Sequence, residues 1–217
     1  MKFKNNTIQI ACDGGGATGK STAAKLISKK YNLKFLSSGL LYRYASFLIL
    51  KNKPKNKISF LEKRFKKLNI KNLNRINLHS VEISEYSSMI AKNLKIRKIL
   101  KKFQINFSKN NNCCIEGRDI ATKILPHSDV KFFFKCSLDI ASKRRFKELK
   151  KFNPSLKLND VKKALKKRNI SDTNRKNSPL LKHRDSIVID TGKINKTAMV
   201  KKMSFYIEKV INQKYDK

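Results

Sequence analysis

The sequence predicts an α/β fold in three layers, with a parallel sheet of about five strands between helices. Three observations predict it. Apolar residues alternate along the chain between short continuous runs and helical spacing. The pattern G-x-x-x-x-G-K-[ST] is complete in Gly14-Gly15-Gly16-Ala17-Thr18-Gly19-Lys20-Ser21, between a strand-like and a helix-like run. The strand candidates end in polar turns, at the carboxyl edge where open parallel sheets hold their ligands.

Taken in order, Ile8 to Cys12 is a short apolar run that suits a buried strand. The glycines after it let the backbone curl so that successive N–H groups face phosphate oxygens. The helix predicted from Thr22 to Lys29 adds a partial positive charge behind them. Lys20 suits the β- and γ-phosphates, and Ser21 offers a hydroxyl to Mg²⁺. With Thr22, the residues from Gly14 onward form a candidate nucleotide site. Later strands are predicted at Lys34–Ser37, Cys113–Glu116, Val130–Phe134 and Ser186–Asp190. Helices are predicted at Leu40–Lys51, Ile58–Leu68, Ser84–Asn93, Ile96–Phe107, Leu138–Lys151, Asn159–Arg168 and Lys196–Ile211. In Leu138–Lys151, the residues Leu138, Ala141, Arg145 and Leu149 trace one face. Two segments break this rhythm: the polar, Asn-rich stretch 51–81 and the Pro-containing bridge 151–157. They suit a substrate-holding insertion and a mobile lid.

The 217 residues and a hydrophobic fraction of 40% fit one compact domain. No apolar run approaches a membrane span, and the basic N-terminus leads straight into the first strand rather than a signal peptide. Cys12, Cys113, Cys114 and Cys136 form no C-x-x-C pair, and three lie in or beside apolar runs. They are expected to be reduced, buried thiols of a cytoplasmic protein. Cys113 and Cys114 should face opposite sides of a strand. His79, His127 and His183 are isolated and carry no assigned chemistry.

The formal net charge is +37. Such a charge attracts phosphates and anionic substrates. Yet the lysines are spread over nearly the whole chain, without an aromatic-interleaved stacking motif. Abundant Lys, Asn and Ile match what an AT-biased genome writes onto solvated positions, so nucleic-acid binding is expected only as non-specific electrostatics.

Further along, four segments in order resemble the bacterial cytidylate kinases, a family of nucleoside monophosphate (NMP) kinases. Leu36-Ser37-Ser38-Gly39-Leu40-Leu41-Tyr42-Arg43 resembles the family's L-D-[ST]-G-x-x-Y-R. Ser88 to Ala91 followed by Ile96-Arg97 resembles S-x-x-A…V-R. Glu116-Gly117-Arg118-Asp119-Ile120 resembles D-G-R-D-[IM], and Arg168 to Arg175 with Pro179-Leu180 resembles R-D-x-x-D-x-x-R…P-L. The resemblance covers almost the whole chain. It implies a three-layer P-loop kinase fold in a single domain spanning 1–217, with a core of about 1–42, 94–145 and 159–217. It also implies a shortened NMP-binding insertion at about 43–93 and a lid at about 146–158.

The resemblance further implies transfer of the ATP γ-phosphoryl group to CMP or dCMP, with Mg²⁺, by a monomer. Arg43, Arg118 and Arg175 would hold the acceptor and transferring phosphates, and planar guanidinium forks suit that task. Ser88, Arg97 and Asp119 would read cytosine, and Arg168 and Asp172 the acceptor sugar. Ser38 would join the acceptor contacts, Lys20, Arg144 and Arg145 the charge neutralisation, and Ser21 and Glu116 the Mg²⁺. Glu116, Asn169 and Ser37 each stand where the family carries Asp. From the residues alone, Asp119 could equally cap a helix beginning there, and Ser38 and Ser88 could be caps or helix-surface residues. Two other functions remain open at this point: another small P-loop kinase acting on UMP, AMP or a small metabolite, and a basic nucleic-acid-binding protein.

Overall fold

Short apolar runs become strands: the central ones, 9–14 and 113–117, are buried on both faces, and the edge ones, 34–37 and 187–190, only in part. The computed structural model describes residues 7–70, 73, 76–151 and 153–215. The strands are β1 (Gln9–Gly14), β2 (Lys34–Ser37), β3 (Cys113–Gly117), β4 (Val130–Lys135) and β5 (Ile187–Asp190). They form one sheet in the order β2-β3-β1-β4-β5. β1 pairs in parallel with β3 and β4, and β4 with β5. The α/β class and the five parallel strands are therefore as the sequence predicts.

The helices are α1 (Lys20–Lys30), α2 (Ser38–Asn52), α3 (Lys57–Lys66), α4 (Val81–Ile90), α5 (Leu94–Lys109), α6 (Leu138–Lys150), α7 (Leu158–Asn174) and α8 (Lys196–Tyr215). Polar side chains start six of them: Ser37, Asn56, Ser80, Asn93, Ser137 and Asn195 each accept a backbone N–H of the first turn. α1 differs. It starts from Gly19 in a left-handed conformation, with no side-chain cap. Its first N–H groups thus receive no side-chain acceptor from the capping position.

By compactness the chain divides into two units, Met1–Phe35 with Asn112–Lys217, and Leu36–Asn111. In the first, alternate residues of β1 (Ile8 just before it, Ile10, Cys12) join Cys114, Phe132, Phe134 and Ile189 in one core. Ala23, Ala24 and Ile27 of α1 cover that face with Met199, Met203, Ile207 and Ile211 of α8. Cys114 lies in this cluster and Cys113 outside it, as strand alternation requires. All four cysteines are free thiols, but only Cys12, Cys113 and Cys114 are buried as expected, Cys136 just past β4 being half-buried; burial pushes the Cys113 thiol up to about 12. On α6, Ala141 is buried and Leu138, Arg145 and Leu149 are half-buried, so the expected face exists.

The second unit is helical. Leu41, Ala45, Leu48 and Ile49 of α2 are buried with Leu61 and Phe65 of α3, Ile83 and Ile90 of α4, and Ile96 and Leu100 of α5. α2 packs on α4, and α3 on α5. The Phe65 ring sits edge-on to Tyr44 and Phe103, with centroids 5.9 and 5.7 Å away. Among the described residues of 53–78 there is α3 and no strand.

Two expectations are corrected. α7 does not end at Arg168 but runs on to Asn174. Its buried apolar residues end at Leu165, but Asn169 and Asp172 are anchored by other segments, and those contacts extend the helix. After Asp119 there is no α-helix but one π-helical turn, Ile120–Ile124. Phe152 of the expected lid, and residues 71, 72, 74 and 75 of the Asn-rich segment, lie outside the described residues.

Candidate active site

The phosphate loop is shaped by close approach. Gly14 has φ +156°, and a Cβ there would lie 2.5 Å from the Phe134 carbonyl oxygen. At Gly16 a Cβ would lie 2.6 Å from Cδ1 of Leu165, which α7 brings onto the loop. Ala17 (φ 55°) and Gly19 (φ 83°) are left-handed, and between them Thr18 donates its hydroxyl to Gly15 O at 3.0 Å. Asn169 Oδ1 accepts the Gly16 N–H at 3.1 Å.

Lys20 is 6% exposed. Its ammonium donates to Gly15 O at 3.1 Å and lies 3.7 Å from the Glu116 carboxylate. Burial, then the Arg118 cation, lower its pKa to about 8, although Glu116 opposes them. Ser21 is half-buried and Thr22 exposed on the first turn of α1.

Asp13, the last acidic residue before the loop, is 1% exposed and accepts the N–H groups of Ile120 (2.8 Å) and Ala121 (2.7 Å). Burial raises its pKa to about 7 despite those two bonds. It thus caps the π-helical turn. Asp119 makes no capping bond, so the capping alternative for that residue fails: Asp13 already occupies the N–H groups it would take.

Arg118 donates from Nε to Asp172 Oδ2 at 2.8 Å. Arg175 lies 3.5 Å from Asp172 and 3.8 Å from Asp119, and donates to Ser178 O at 2.5 Å. Burial works to raise the Asp172 pKa, but Arg118, Arg168 and Arg175 outweigh it and hold the carboxyl low. Arg168 also adds its charge at Lys20. In this unit, then, Lys20, Glu116, Arg118, Asp119, Arg168, Asp172 and Arg175 form one linked charge cluster.

The two arginines of α6 part company. Arg144 reaches Thr191, donating to its hydroxyl and its carbonyl at 2.8 Å each. Arg145 turns to the exposed Glu148 at 3.0 Å and does not join this group.

In the helical unit, the half-buried hydroxyl of Ser84 and the buried Arg43 form the centre. Arg43 Nη1 donates to Leu78 O at 2.8 Å and to Ser84 Oγ at 2.7 Å. Ser88 is exposed and donates to Ser84 O at 3.2 Å. Arg97 is buried, donates to Ala91 O at 3.1 Å, and stands 5.7 Å from the Tyr42 ring centroid. Ser38 is buried in the first turn of α2, whose cap is Ser37.

Sequence reasoning left Asp13, Leu165, Thr191 and Ser84 without roles. Asp13 carried a signal, an acid closing a buried apolar strand. Thr191 and Leu165 carried none, because what matters is a partner far away in the chain.

The donor set suits Mg²⁺. The Ser21 hydroxyl and the 4% exposed Glu116 carboxylate are hard oxygens. No group of three or more His, Cys, Asp or Glu able to hold a metal occurs among the described residues. That fits an ion that takes most of its ligands from substrate phosphates and water.

Comparison with known proteins narrows the reading. The sequence model of the cytidylate kinase family matches residues 10–209. A cytidylate kinase of Clostridium botulinum (strain Hall) is 36% identical over 214 residues, covering 93% of this chain and 98% of the relative. Cytidylate kinases of Clostridium tetani and Fusobacterium nucleatum are 33% and 32% identical, covering 94% of this chain and 95% and 99% of their own lengths. Among solved structures, a shikimate kinase from Bacteroides thetaiotaomicron is similar with a TM-score of 0.53 at 12% identity, over 93% of this chain and 98% of its own. An uncharacterized protein from Eubacterium ventriosum gives 0.55 at 16%, over 93% and 99%. These structures share the fold.

Proposed function

The chain belongs to the cytidylate kinase family, and on that premise we propose that it transfers the γ-phosphoryl group of ATP to CMP or dCMP, giving CDP or dCDP. The observation that carries this reading is the Lys20 ammonium, buried in the curl of a phosphate loop whose following helix has no side-chain cap.

The acceptor phosphate oxygen is already ionised at neutral pH, so no general base is needed. Catalysis is alignment of two polyanions plus neutralisation of the transferring group. The loop from Gly14 to Thr22 holds the ATP phosphates, and Lys20 lies along the β- and γ-phosphates. Arg144 and Arg175 neutralise the transferring group, with Arg145 joining them as the lid closes. Arg118 and Arg43 take the acceptor phosphate. Ser88 and Arg97 bind the base, and the Asp119 carboxylate suits the amino group of cytosine and repels the O4 of uracil. Arg168 and Asp172 take the sugar, and Ser38 an acceptor contact. Ser21 and Glu116 would hold Mg²⁺, which would supply Lewis-acid neutralisation of the phosphate charge.

No described helix is long and apolar enough to cross a membrane. We place the activity in the cytoplasm, carried by a monomer, as the family resemblance implies.

The test is ADP formation with ATP, Mg²⁺ and one acceptor at a time: CMP, dCMP, UMP, AMP or none. Turnover with CMP or dCMP well above UMP and AMP is expected. Turnover only with another acceptor would overturn the base assignment. No turnover with any acceptor, together with steeply salt-dependent RNA or DNA binding, would overturn the kinase reading.

A further inference from the structure

Thr191 directly follows β5 and is 5% exposed. Its N–H donates to Lys135 O at 3.0 Å, which ties it to the carboxyl end of β4. Its hydroxyl has two close partners and a longer approach, 3.5 Å, to Lys135 O. It donates to Thr18 O in the phosphate loop at 2.8 Å and accepts from Arg144 Nη1 at 2.8 Å. Arg144 Nη2 donates to the Thr191 carbonyl, also at 2.8 Å. One residue therefore grips the guanidinium at two points and, with the same oxygen, props the loop.

Both partners need such a support. Thr18 lies between two left-handed residues, Ala17 and Gly19, a backbone course that persists only where the surroundings over-determine it. An arginine side chain has many rotamers, and a two-point grip on a rigid strand end removes most of them. Polar groups preorganised toward a developing charge are worth more than the same groups left to reorient during the reaction.

We propose that Thr191 is a positioning residue for phosphoryl transfer, fixing the direction of Arg144 and the curl of the loop at Thr18 as one rigid set facing the ATP phosphates. The proposal rests on the reading of Arg144 as a phosphate-neutralising residue. A hydroxyl can accept from the guanidinium only while its own hydrogen goes elsewhere, and Thr18 O at 2.8 Å is a nearer acceptor than Lys135 O at 3.5 Å. The two contacts are thus coupled through one oxygen. The methyl points toward Gly19, where an added Cβ would lie 3.6 Å from it.

The experiment compares Thr191→Val, Thr191→Ser, Arg144→Met and the Thr191→Val/Arg144→Met pair by kcat, KM for ATP, KM for CMP and thermal midpoint. Thr191→Val keeps the shape and loses the hydroxyl; kcat/KM for ATP should fall about 10- to 100-fold, with KM for CMP within about twofold. Thr191→Ser keeps the hydroxyl and should stay within about threefold of the parent. In the Arg144→Met background, Thr191→Val should cost less than it does in the parent, because the part of its effect that acts through that arginine is already lost. If the valine variant does not fold, Thr191→Ala is read the same way. A silent Thr191→Val beside an impaired Arg144→Met overturns the proposal alone, as does full additivity or a serine variant as impaired as valine. A silent Arg144→Met overturns the reading of Arg144 and the proposal with it.

Discussion

Asn169 Oδ1 accepts the Gly16 N–H at 3.1 Å, joining helix α7 to the phosphate loop across 153 residues of sequence. Asn169 stands where the family carries Asp, and this contact shows what the position does. It needs an acceptor oxygen, which amide and carboxylate both supply. Asn169→Asp should therefore keep KM for ATP within about threefold, whereas Asn169→Leu should forfeit about 1 kcal/mol and raise KM for ATP about five- to tenfold. Steady-state kinetics on the two variants decide it; equal losses in both would mean that charge, not the acceptor, governs the site.

The loop's two tightest glycines should respond differently to a methyl group. At Gly14 the obstacle is backbone, the Phe134 carbonyl oxygen, so Gly14→Ala should yield little folded protein and no second-site change should rescue it. At Gly16 the obstacle is the tip of Leu165. Gly16→Ala should weaken ATP binding, and Leu165→Val, itself costing on the order of 1 kcal/mol of stability, should restore part of it. Calorimetric titration of ATP, with thermal midpoints, separates the cases.

Asp13 and Lys20 contribute opposite slopes to the stability of the nucleotide-free protein, one below about pH 7 and the other above about pH 8. The folded pKa of Asp13 is raised to about 7 from an ordinary 3.8. Between those values the folded state binds the extra proton, so stability from this group falls as pH rises. The folded pKa of Lys20 is lowered to about 8 from 10.5. Between those values the unfolded state binds the extra proton, so stability rises with pH. In chemical denaturation across pH 4 to 10, Asp13→Asn should flatten the acid-side slope, and Lys20→Met the alkaline-side slope. Parallel profiles for parent and variants would refute the assignment.

Asp119 is assigned to the amino group of cytosine, so Asp119→Ala should cut the ratio of kcat/KM for CMP over UMP at least about tenfold. The comparison is internal to one variant, so a general loss of activity does not disturb it. An unchanged ratio would remove Asp119 from base recognition.

Much of this molecule is legible from local rules. Strand runs such as Cys113-Cys114-Ile115 are apolar throughout because both faces are covered, and helix starts at Asn56, Asn93 and Ser137 follow from side chains that accept first-turn N–H groups. The loop from Gly14 to Ser21 is readable because close approach and left-handed backbone demand glycine at fixed spacing. Less legible was α7, whose last turns hold Asn169 and Asp172 through contacts with Gly16 and Arg118 rather than through apolar periodicity. Equally hidden was the π-helical turn after Asp119, closed by a carboxylate 107 positions earlier.

By itself, then, the sequence determined the element types, the phosphate loop and the family, since steric limits, capping and burial act over a few residues. Only the tertiary structure decided that Asp13 closes the turn beside Arg118, that Arg144 and not Arg145 meets Thr191, and that Thr191 in turn holds Thr18. Those are hydrogen bonds between distant segments. They exist because the strand order β2-β3-β1-β4-β5 carries the carboxyl ends of β1, β4 and β5 side by side, and no local pattern records which neighbours a strand will have.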